Sequence, residues 1–211
     1  MSNIKKSEAS LTGYINNVKE LVGESVTNHT FSIGYSIPTV EQGKYENVFV
    51  SAKTIKGISV EGLEGKLCQF TGYITAHNYK TKEGKEKSQT DFMVREVSLL
   101  EDPKKGINKY VISGYPVNLK TLSNGATAGS LSFKVKTKEG VEEFTYIPFI
   151  AKKGIELTKG LTTIEGFISG DKYKTKDGKT QSNLKFFIMK AELVPQLENN
   201  KENKKPKDPE R

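Results

Sequence analysis

Residue types that often carry chemistry are scarce in this 211-residue chain, which has one cysteine, two histidines and no tryptophan. A single cysteine excludes an intrachain disulfide, and Cys68 lies in the apolar segment Leu67–Phe70, which is typical of a buried small hydrophobe rather than a reactive thiol. His29 and His77 do not have the close spacing of metal ligands. The sequence therefore offers neither a zinc-ligand set nor a cysteine–histidine pair.

Long apolar runs and nucleotide-binding loops are also missing. No segment approaches the roughly 18 consecutive apolar residues of a membrane span, and residues 1–8 do not lead into a signal-peptide core. The 19 glycines form neither a Walker-type loop nor a dinucleotide fingerprint, and the carboxylates show no evident catalytic pair. We therefore expect a cytoplasmic protein that is not an enzyme, with no cofactor, no metal ion and no membrane association.

An internal repeat is the most informative feature that the chain does have. The segment Tyr79–Lys85 (YKTKEGK) returns 94 positions later as Tyr173–Lys179 (YKTKDGK). The shared pattern runs without a gap from Gly72 to Leu99 in the first copy. Two copies of one pattern share one fold, so the sequence predicts two domains of roughly 90 residues each.

Strand-forming residues dominate both copies, because Val, Ile, Thr, Tyr and Phe alternate with polar residues and are interrupted by Gly, Pro and Asn. Five strands are predicted in each copy, near 11–19, 28–36, 45–53, 66–80 and 88–100, and near 110–117, 131–137, 143–151, 160–174 and 181–193. Five strands with the longest hairpin between the fourth and fifth fit the Greek-key barrel called the OB-fold. The predicted fold class is all-β: two tandem five-stranded OB-fold barrels at 10–102 and 110–197, a linker at 103–109 and a disordered tail at 198–211, which has little apolar surface to bury.

Side-chain parity along the strands predicts aromatic rings on the outer face of each barrel. Successive strand residues point to opposite faces, so apolar Phe70 and Ile74 define the core face of the fourth strand. Such a cluster of outward rings needs a partner. The rings predicted to face outward are Tyr14, Tyr45, Phe49, Tyr73 and Tyr79 in the first copy and Tyr115, Phe144, Tyr146, Phe167 and Tyr173 in the second.

The third strands of the two copies are aligned by placing Val48 opposite Ile147 and Val50 opposite Phe149. This alignment predicts that all four side chains lie in the barrel cores. It also makes the outward ring of Tyr45 the counterpart of Phe144.

The formal charge of +8 is unevenly distributed. Residues 10–102 carry 10 basic and 12 acidic side chains, a net charge of −2, whereas residues 103–195 carry 16 and 8, a net charge of +8. A polyanion should therefore bind the second copy more strongly. The lysines that accompany the outward rings, and that we expect to contact phosphates, are Lys80, Lys82, Lys134, Lys172, Lys174 and Lys176.

Both nucleic-acid bases and proteins could cover exposed rings. The cores of protein interfaces are depleted in charge, whereas a groove that follows a nucleic-acid backbone requires it, so the lysines favour stacking on unpaired bases. No residue can be assigned to a 2′-hydroxyl, so single-stranded RNA is an alternative to DNA. The other alternative is a protein-interaction or assembly module whose aromatic faces are buried in an oligomer.

Two segments of the second copy carry a family resemblance. In Glu143–Lys152 an acidic residue and an aromatic precede apolar residues and a small residue followed by lysine. In Gly166–Lys179 a glycine–aromatic–apolar run leads to Tyr173 and an Asp-Gly-Lys turn. These resemble the third strand, and the fourth strand with its hairpin, of the bacterial and phage single-stranded DNA-binding proteins. The resemblance implies binding of single-stranded DNA in replication, recombination or transfer. It also implies that Phe144 and Tyr173 stack on bases, and that Tyr45 and Tyr79 do the same in the first copy.

The same resemblance implies an assembly. That family usually has one OB-fold per chain and assembles four, so two per chain imply either a homodimer with four OB-folds or a working monomer. Its stacking tryptophans would be replaced here by tyrosine and phenylalanine, and its acidic tail with an apolar tip by the sequence Asp208-Pro209-Glu210-Arg211. A phage or plasmid setting is compatible with these features.

Overall fold

The structure is a computed structural model that describes residues 7–22, 27–38, 43–80, 84, 86–102, 106–136, 140, 142–174 and 180–195. Within these ranges the regular secondary structure is entirely β-strand, as predicted. There is no helix among them with the length and apolar character that a membrane span requires. The strands are β1 (Ser7–Val22), β2 (Thr27–Pro38), β3 (Tyr45–Thr54), β4 (Leu67–Lys80), β5 (Glu86–Leu99), β6 (Asn108–Thr121), β7 (Thr127–Lys136), β8 (Glu142–Ala151), β9 (Thr162–Lys174) and β10 (Thr180–Leu193).

The ten strands form two closed barrels. In barrel 1 the strand order is β2-β3-β5-β4-β1, and the additional pairing of β1 with β2 closes the ring. In barrel 2 the order β7-β8-β10-β9-β6 repeats this arrangement, closed by the pairing of β6 with β7 and with β9. The pairs β3–β5 and β8–β10 are parallel, and the other pairings are antiparallel. Each barrel is thus the five-stranded Greek-key barrel of the OB-fold.

The core of each barrel is built from alternate strand residues, as the parity pattern predicts. Leu11 and Phe70 are completely buried in barrel 1, and Leu131 and Ile164 in barrel 2. Cys68 is also completely buried, and burial raises the pKa of its thiol above the usual range. It therefore packs as a small apolar side chain.

Strand irregularities recur at corresponding positions of the two barrels. β1 and β6 each contain a bulge at an asparagine with positive φ, Asn17 at 55° and Asn118 at 54°. β4 and β9 each contain a glycine, Gly72 and Gly166, where a Cβ would lie 1.9 Å and 1.7 Å from a carbonyl oxygen of the neighbouring strand. The first and fourth strands of the two barrels therefore correspond at offsets of 101 and 94 positions.

The alignment of the third strands predicted from the sequence is wrong by two residues. The N–H of Ile55, just after β3, donates to a β5 carbonyl, and the N–H of Lys152, just after β8, makes the corresponding bond to β10. The correct offset is thus 97 positions rather than 99. Because an even shift keeps each side chain on its own face, the predicted core residues of both strands are buried. The counterpart of Phe144, however, is Asn47 and not Tyr45.

An antiparallel ladder between β1 and β6 joins the two barrels. Ser7 pairs with Ile112 and Leu11 pairs with Asn108, on either side of the central residue Ala9. At the offset of 101 positions, Ser7 corresponds to Asn108 and Leu11 corresponds to Ile112. Exchanging the two barrels therefore converts the first flanking pair into the second. The ladder therefore lies on a pseudo-two-fold axis that relates barrel 1 to barrel 2.

Side-chain hydrogen bonds hold each of the two seam strands to its own barrel, at equivalent positions on the two sides of the axis. The amide of Asn108 donates to the carbonyl of Ile168 at 2.8 Å and accepts from its N–H at 2.9 Å. Its counterpart Ser7 makes the same pair of bonds to Ile74, at 2.6 Å and 3.0 Å. The hydroxyl of Tyr35 in barrel 1 also donates to the Ile168 carbonyl in barrel 2. Burial raises the pKa of Tyr35 to about 12, against a smaller opposing effect of Asn108.

The substitution Tyr35→Phe should weaken the seam without disturbing packing, because its counterpart Phe133 shows that a phenyl ring fits this position. We expect a loss of about 1 kcal/mol in unfolding free energy near pH 8 from the missing hydrogen bond. The folded-state pKa of about 12 lies above the ordinary value of 10. The protonated phenol therefore contributes stability that is complete below pH 10 and is lost as the pH rises from 10 to 12.

Urea unfolding at pH 8, 10 and 11 measures both effects. The wild-type protein should lose more stability above pH 10 than the Tyr35→Phe variant. Tyr45→Phe, at an exposed ring, is the matched control and should follow the wild type at each pH. Equal losses above pH 10 in wild type and Tyr35→Phe would contradict the assignment.

Candidate nucleic-acid interface

Three strands of barrel 2 present a set of exposed rings. Tyr115 on β6 pairs with Ser132 on β7, which pairs in turn with Tyr146 on β8, so two rings flank a small residue across the sheet. Phe144 lies two residues before Tyr146 and so on the same outer face. Tyr115, Tyr146 and Phe144 are 46%, 42% and 52% exposed. These three rings form the barrel 2 ring face.

A lysine lies directly against this ring face. Lys134 pairs with Phe144 in the β7–β8 ladder, and its Nζ lies 5.6 Å from the centre of the phenyl ring, within cation–π range. The same Nζ lies 3.0 Å from a carboxylate oxygen of Glu142. The face thus combines apolar rings with one cation whose charge is partly balanced within the protein.

Barrel 1 presents a corresponding but weaker set of rings. Tyr14 on β1 pairs with Gly34 on β2, which pairs with Phe49 on β3. Phe49 is half-buried, and its ring lies over Gly34, where a Cβ would come within 3.1 Å of it. Tyr45 is the most exposed ring of the set and lies at the start of β3. Tyr14, Phe49 and Tyr45 form the barrel 1 ring face.

The two ring faces differ most where barrel 2 has Lys134 and Phe144. The corresponding residues of barrel 1 are Ser36 and Asn47, which pair in the β2–β3 ladder. The Ser36 hydroxyl donates to the Asn47 side chain at 2.8 Å. Barrel 1 therefore has a neutral hydrogen-bonded pair where barrel 2 has a ring beneath a cation, in agreement with the uneven charge of the sequence.

Two of the predicted rings, Tyr73 and Phe167, lie on a different outer surface. Across the seam, strands β5-β4-β1-β6-β9-β10 form one continuous six-stranded sheet. Tyr73 on β4 is half-buried beneath the guanidinium of Arg95, 4.4 Å from the ring centre. Phe167 on β9 stacks on Phe187, with ring centres 4.9 Å apart and an interplanar angle of 8°. Tyr73 and Phe167 thus belong to a set separate from the ring faces, and another protein side chain already lies against each of them.

The end of β4 brings a ring of barrel 1 next to barrel 2. The amide of Asn78 donates to the backbone carbonyl of Phe144 at 3.0 Å. The adjacent Tyr79 is exposed, its ring centre lies 6.4 Å from that of His77, and Lys80 after it is also exposed. Tyr79 therefore lies close to the seam between the barrels.

No protein-family model and no curated protein sequence matches the chain. Among solved structures, the wild-type single-stranded DNA-binding protein from Thermus aquaticus superposes with a TM-score of 0.66 at 10% sequence identity, over 91% of this chain and 94% of that one. A deletion mutant of the Thermus aquaticus protein superposes with a TM-score of 0.69 at 11% identity, over 94% and 98%. The chain has the fold of the single-stranded DNA-binding proteins. The resemblance drawn from the sequence is thus confirmed at the level of the fold, including both barrels.

Some predicted site residues lie outside what the structure describes. Lys82 and Lys176 fall in undescribed segments, as do the tail at 198–211 and part of the linker at 103–105. Lys172, Tyr173 and Lys174 belong to β9, where Tyr173 pairs with Gln181, but their side chains are not described. Their proposed roles remain predictions. Among the residues that the structure describes, no group of three His, Cys, Asp or Glu side chains could hold a metal ion.

One polar cluster on this fold was missed by the sequence analysis. Asp91 on β5 contacts Lys53 of β3, His77 of β4 and Gln89 of its own strand. Strand parity could have placed Lys53 and His77 on outer faces. Nothing in the sequence indicated that closure of the barrel brings them to one carboxylate, because Lys53 and Asp91 are 38 positions apart.

Proposed function

We propose that the protein binds single-stranded DNA without sequence preference. The observation that carries the proposal is the barrel 2 ring face, where three exposed rings and Lys134 lie together on neighbouring strands. Bases of an unpaired strand would stack on the rings while lysines neutralise phosphates and release counterions. The described residues assigned to this site are Tyr14, Tyr45, Phe49, Tyr79, Lys80, Tyr115, Lys134, Phe144 and Tyr146. The fold, shared with proteins whose names state this activity, supports the proposal.

The energetics favour bases over a protein as the partner of the ring faces. Each stacked base contributes roughly 1–3 kcal/mol, so three rings suffice for useful affinity after the cost of ordering the strand. A protein partner would have to bury Lys134 and Glu142 near the centre of its interface, where charged residues are depleted. A polyanionic strand instead uses the lysine directly.

Barrel 2 is proposed as the principal binding surface and barrel 1 as the secondary one. The half of the chain containing barrel 2 carries the net charge of +8, and its ring face has a cation–π pair where barrel 1 has Ser36 and Asn47. The proposed role is coating of single strands during replication, recombination or transfer, in the cytoplasm of a host that carries a phage or plasmid, without catalysis.

Substitution of single rings tests the proposal. Phe144→Ala should weaken binding of a fluorescent oligo(dT) at low salt by about tenfold or more. Tyr45→Ala should weaken it less, since barrel 1 carries less positive charge. Fluorescence anisotropy measures both, and Leu99→Ala, at an exposed apolar residue on β5, is the control that should leave the affinity unchanged.

Failure of the wild-type protein to bind oligo(dT) at low salt would end the proposal, whereas equal losses in the two ring variants would remove only the ranking of the barrels. Competition with the matched RNA oligomer decides between DNA and RNA, because stacking alone does not distinguish the sugars.

The ion pair of Lys134 with Glu142 generates a second prediction. Glu142→Gln removes the carboxylate charge that competes with phosphate for Lys134, so we expect about two- to fivefold tighter binding of oligo(dT). The dependence of the affinity on salt concentration should also steepen. In the wild type a phosphate only replaces the Glu142 carboxylate as the partner of Lys134, whereas in the variant it neutralises a lysine that has lost this carboxylate. A KCl titration of the affinity measures this. Glu61→Gln removes an equal charge from an exposed site in barrel 1 and is the matched control; an identical gain there would show a general charge effect instead.

We propose further that two copies of the chain associate through the six-stranded sheet, giving four OB-folds. The stack of Phe167 on Phe187 and the exposed Met189 leave apolar surface on this sheet. Two pairs of opposite charges on this sheet neutralise each other, Lys109 with Glu165 at 2.9 Å and Lys190 with Glu192. The pseudo-two-fold axis through the β1–β6 ladder gives the two halves of the sheet the same backbone arrangement, which suits a symmetric interface with a second copy.

The mass in solution tests this assembly. Sedimentation equilibrium of the wild type should give twice the chain mass of 23.4 kDa, and Met189→Glu, which puts a charge into the apolar surface, should shift it toward one. A wild-type protein with the mass of one chain would contradict the dimer. Binding of oligo(dT) by a monomeric variant would keep the binding proposal intact. An oligomer that ignores oligo(dT) would favour the assembly module instead.

A further inference from the structure

The Asp91 cluster, consisting of Asp91, Lys53, His77 and Gln89, is a built polar site on the outer face of barrel 1. Asp91 is only 6% exposed, although it projects outward from β5 beside the core residue Phe92. Its carboxylate accepts from Lys53 Nζ at 3.0 Å and Gln89 Nε2 at 3.1 Å, and it lies 3.2 Å from His77 Nδ1. A buried carboxylate needs such partners, so it fixes the positions of both basic side chains.

The cluster lies between the proposed stacking rings of barrel 1. Lys53 is on the outer face of β3, four residues after Phe49, which corresponds to about 13 Å along an extended strand. His77 is two residues before Tyr79 on β4, with ring centres 6.4 Å apart. A single-stranded DNA that runs from the barrel 1 ring face toward Tyr79 would therefore pass over the Asp91 cluster.

Barrel 2 closes in the same way without this cluster. The residues at the corresponding positions are Lys185 for Asp91, Asp171 for His77 and Ile150 for Lys53, from the offsets of 94 and 97 positions. The fold itself does not require a carboxylate with two basic neighbours here. The cluster is therefore a property of barrel 1 alone.

The protonation state of the His77 imidazole determines whether the cluster can donate a hydrogen bond from this ring to a phosphate. With Nδ1 directed at Asp91, the nitrogen left for an approaching ligand is Nε2, and the His77 side chain is 50% exposed. In the neutral ring that donates from Nδ1, Nε2 only accepts hydrogen bonds, so it offers nothing to a phosphate oxygen. In the protonated ring Nε2–H donates, and the charge attracts phosphate.

We propose that Lys53 and His77, held in place by Asp91, form a phosphate-binding position on barrel 1 that binds fully only when His77 is protonated. This inference rests on the proposed binding of single-stranded DNA. The described charged or titratable groups around His77 are Asp91 on β5, Lys53 on β3 and Tyr79 on its own strand. On β8, which packs against β4, the acidic side chain Glu142 is paired with Lys134.

The affinity for a fluorescent oligo(dT), measured at pH 8.0 and pH 5.5 over a KCl series, tests the proposal with the full-length chain. The wild-type protein should bind about two- to fivefold more tightly at pH 5.5. The slope of log affinity against log salt should steepen by about 0.7, the value for one added phosphate contact on a single strand. A structural role for His77 alone would leave the salt slope unchanged.

Three variants separate His77 from other titrating groups. His77→Gln should abolish the change in both affinity and slope. His77→Arg should bind at pH 8.0 as the wild type does at pH 5.5, a gain that misfolding does not produce. His29→Gln alters the only other histidine of the chain and should behave as the wild type.

The outcomes distinguish this inference from the proposed function. No binding of oligo(dT) at either pH would overturn the binding proposal itself. Binding without a pH response in the wild type, or a response that persists in His77→Gln, would overturn the phosphate position while leaving the binding proposal standing.

Discussion

Backbone pairing between β1 and β6 determines which surfaces of the two barrels are available. One edge of β1 pairs with β4, and two strands share the other edge. On that edge β6 pairs with Ser7–Leu11, and β2 pairs with β1 from Tyr14 onward. No part of this edge is left for an outside strand, so the pairing also removes a site of edge-to-edge aggregation. Because the ladder and the hydrogen bond of Tyr35 to Ile168 hold both barrels in one frame, the two ring faces keep a constant separation. A single-stranded DNA that contacts both ring faces therefore does not have to restrict a flexible hinge between the barrels, which would cost binding free energy.

The β1–β6 ladder also explains why strand parity predicted the core residues but did not separate Tyr73 and Phe167 from the rings of the two ring faces. Parity assigns a side chain to the inside or the outside of a barrel, and the apolar residues that it assigned to the core are buried in the described strands, although the outward Ser113 and Ser169 are buried as well. It does not say which part of the closed outer surface a strand occupies. Tyr73 and Phe167 are outside their barrels, but the pairing of β1 with β6 places them on the six-stranded sheet, away from β2 and β7. No local pattern in the sequence marks that pairing.

Alignment of the two copies shows a related limit. In the hairpin between the fourth and fifth strands the sequence repeat is nearly literal, and the offset of 94 positions holds through the bulges of both strand pairs. In the third strand the two-residue slip preserved every face, so hydrophobic pattern alone did not reveal it. Its effect was on function, since it exchanged Tyr45 for Asn47 as the counterpart of Phe144. The hydrogen bonds that follow β3 and β8 settle the register because the backbone geometry there is the same in both barrels.

Duplication of a barrel allows the two copies to acquire different electrostatic roles on one frame. In barrel 2 the cation beside Phe144 is balanced by Glu142, an exposed carboxylate that water and phosphate can replace at little cost. In barrel 1 a different cation, Lys53, is balanced by Asp91, which is almost completely buried and cannot leave without losing three partners. A phosphate can therefore displace the carboxylate in barrel 2, whereas in barrel 1 it must bind alongside one. Under that constraint barrel 1 gains attraction for a polyanion mainly by adding positive charge, and in the proposed phosphate-binding position that charge comes from protonation of the His77 imidazole.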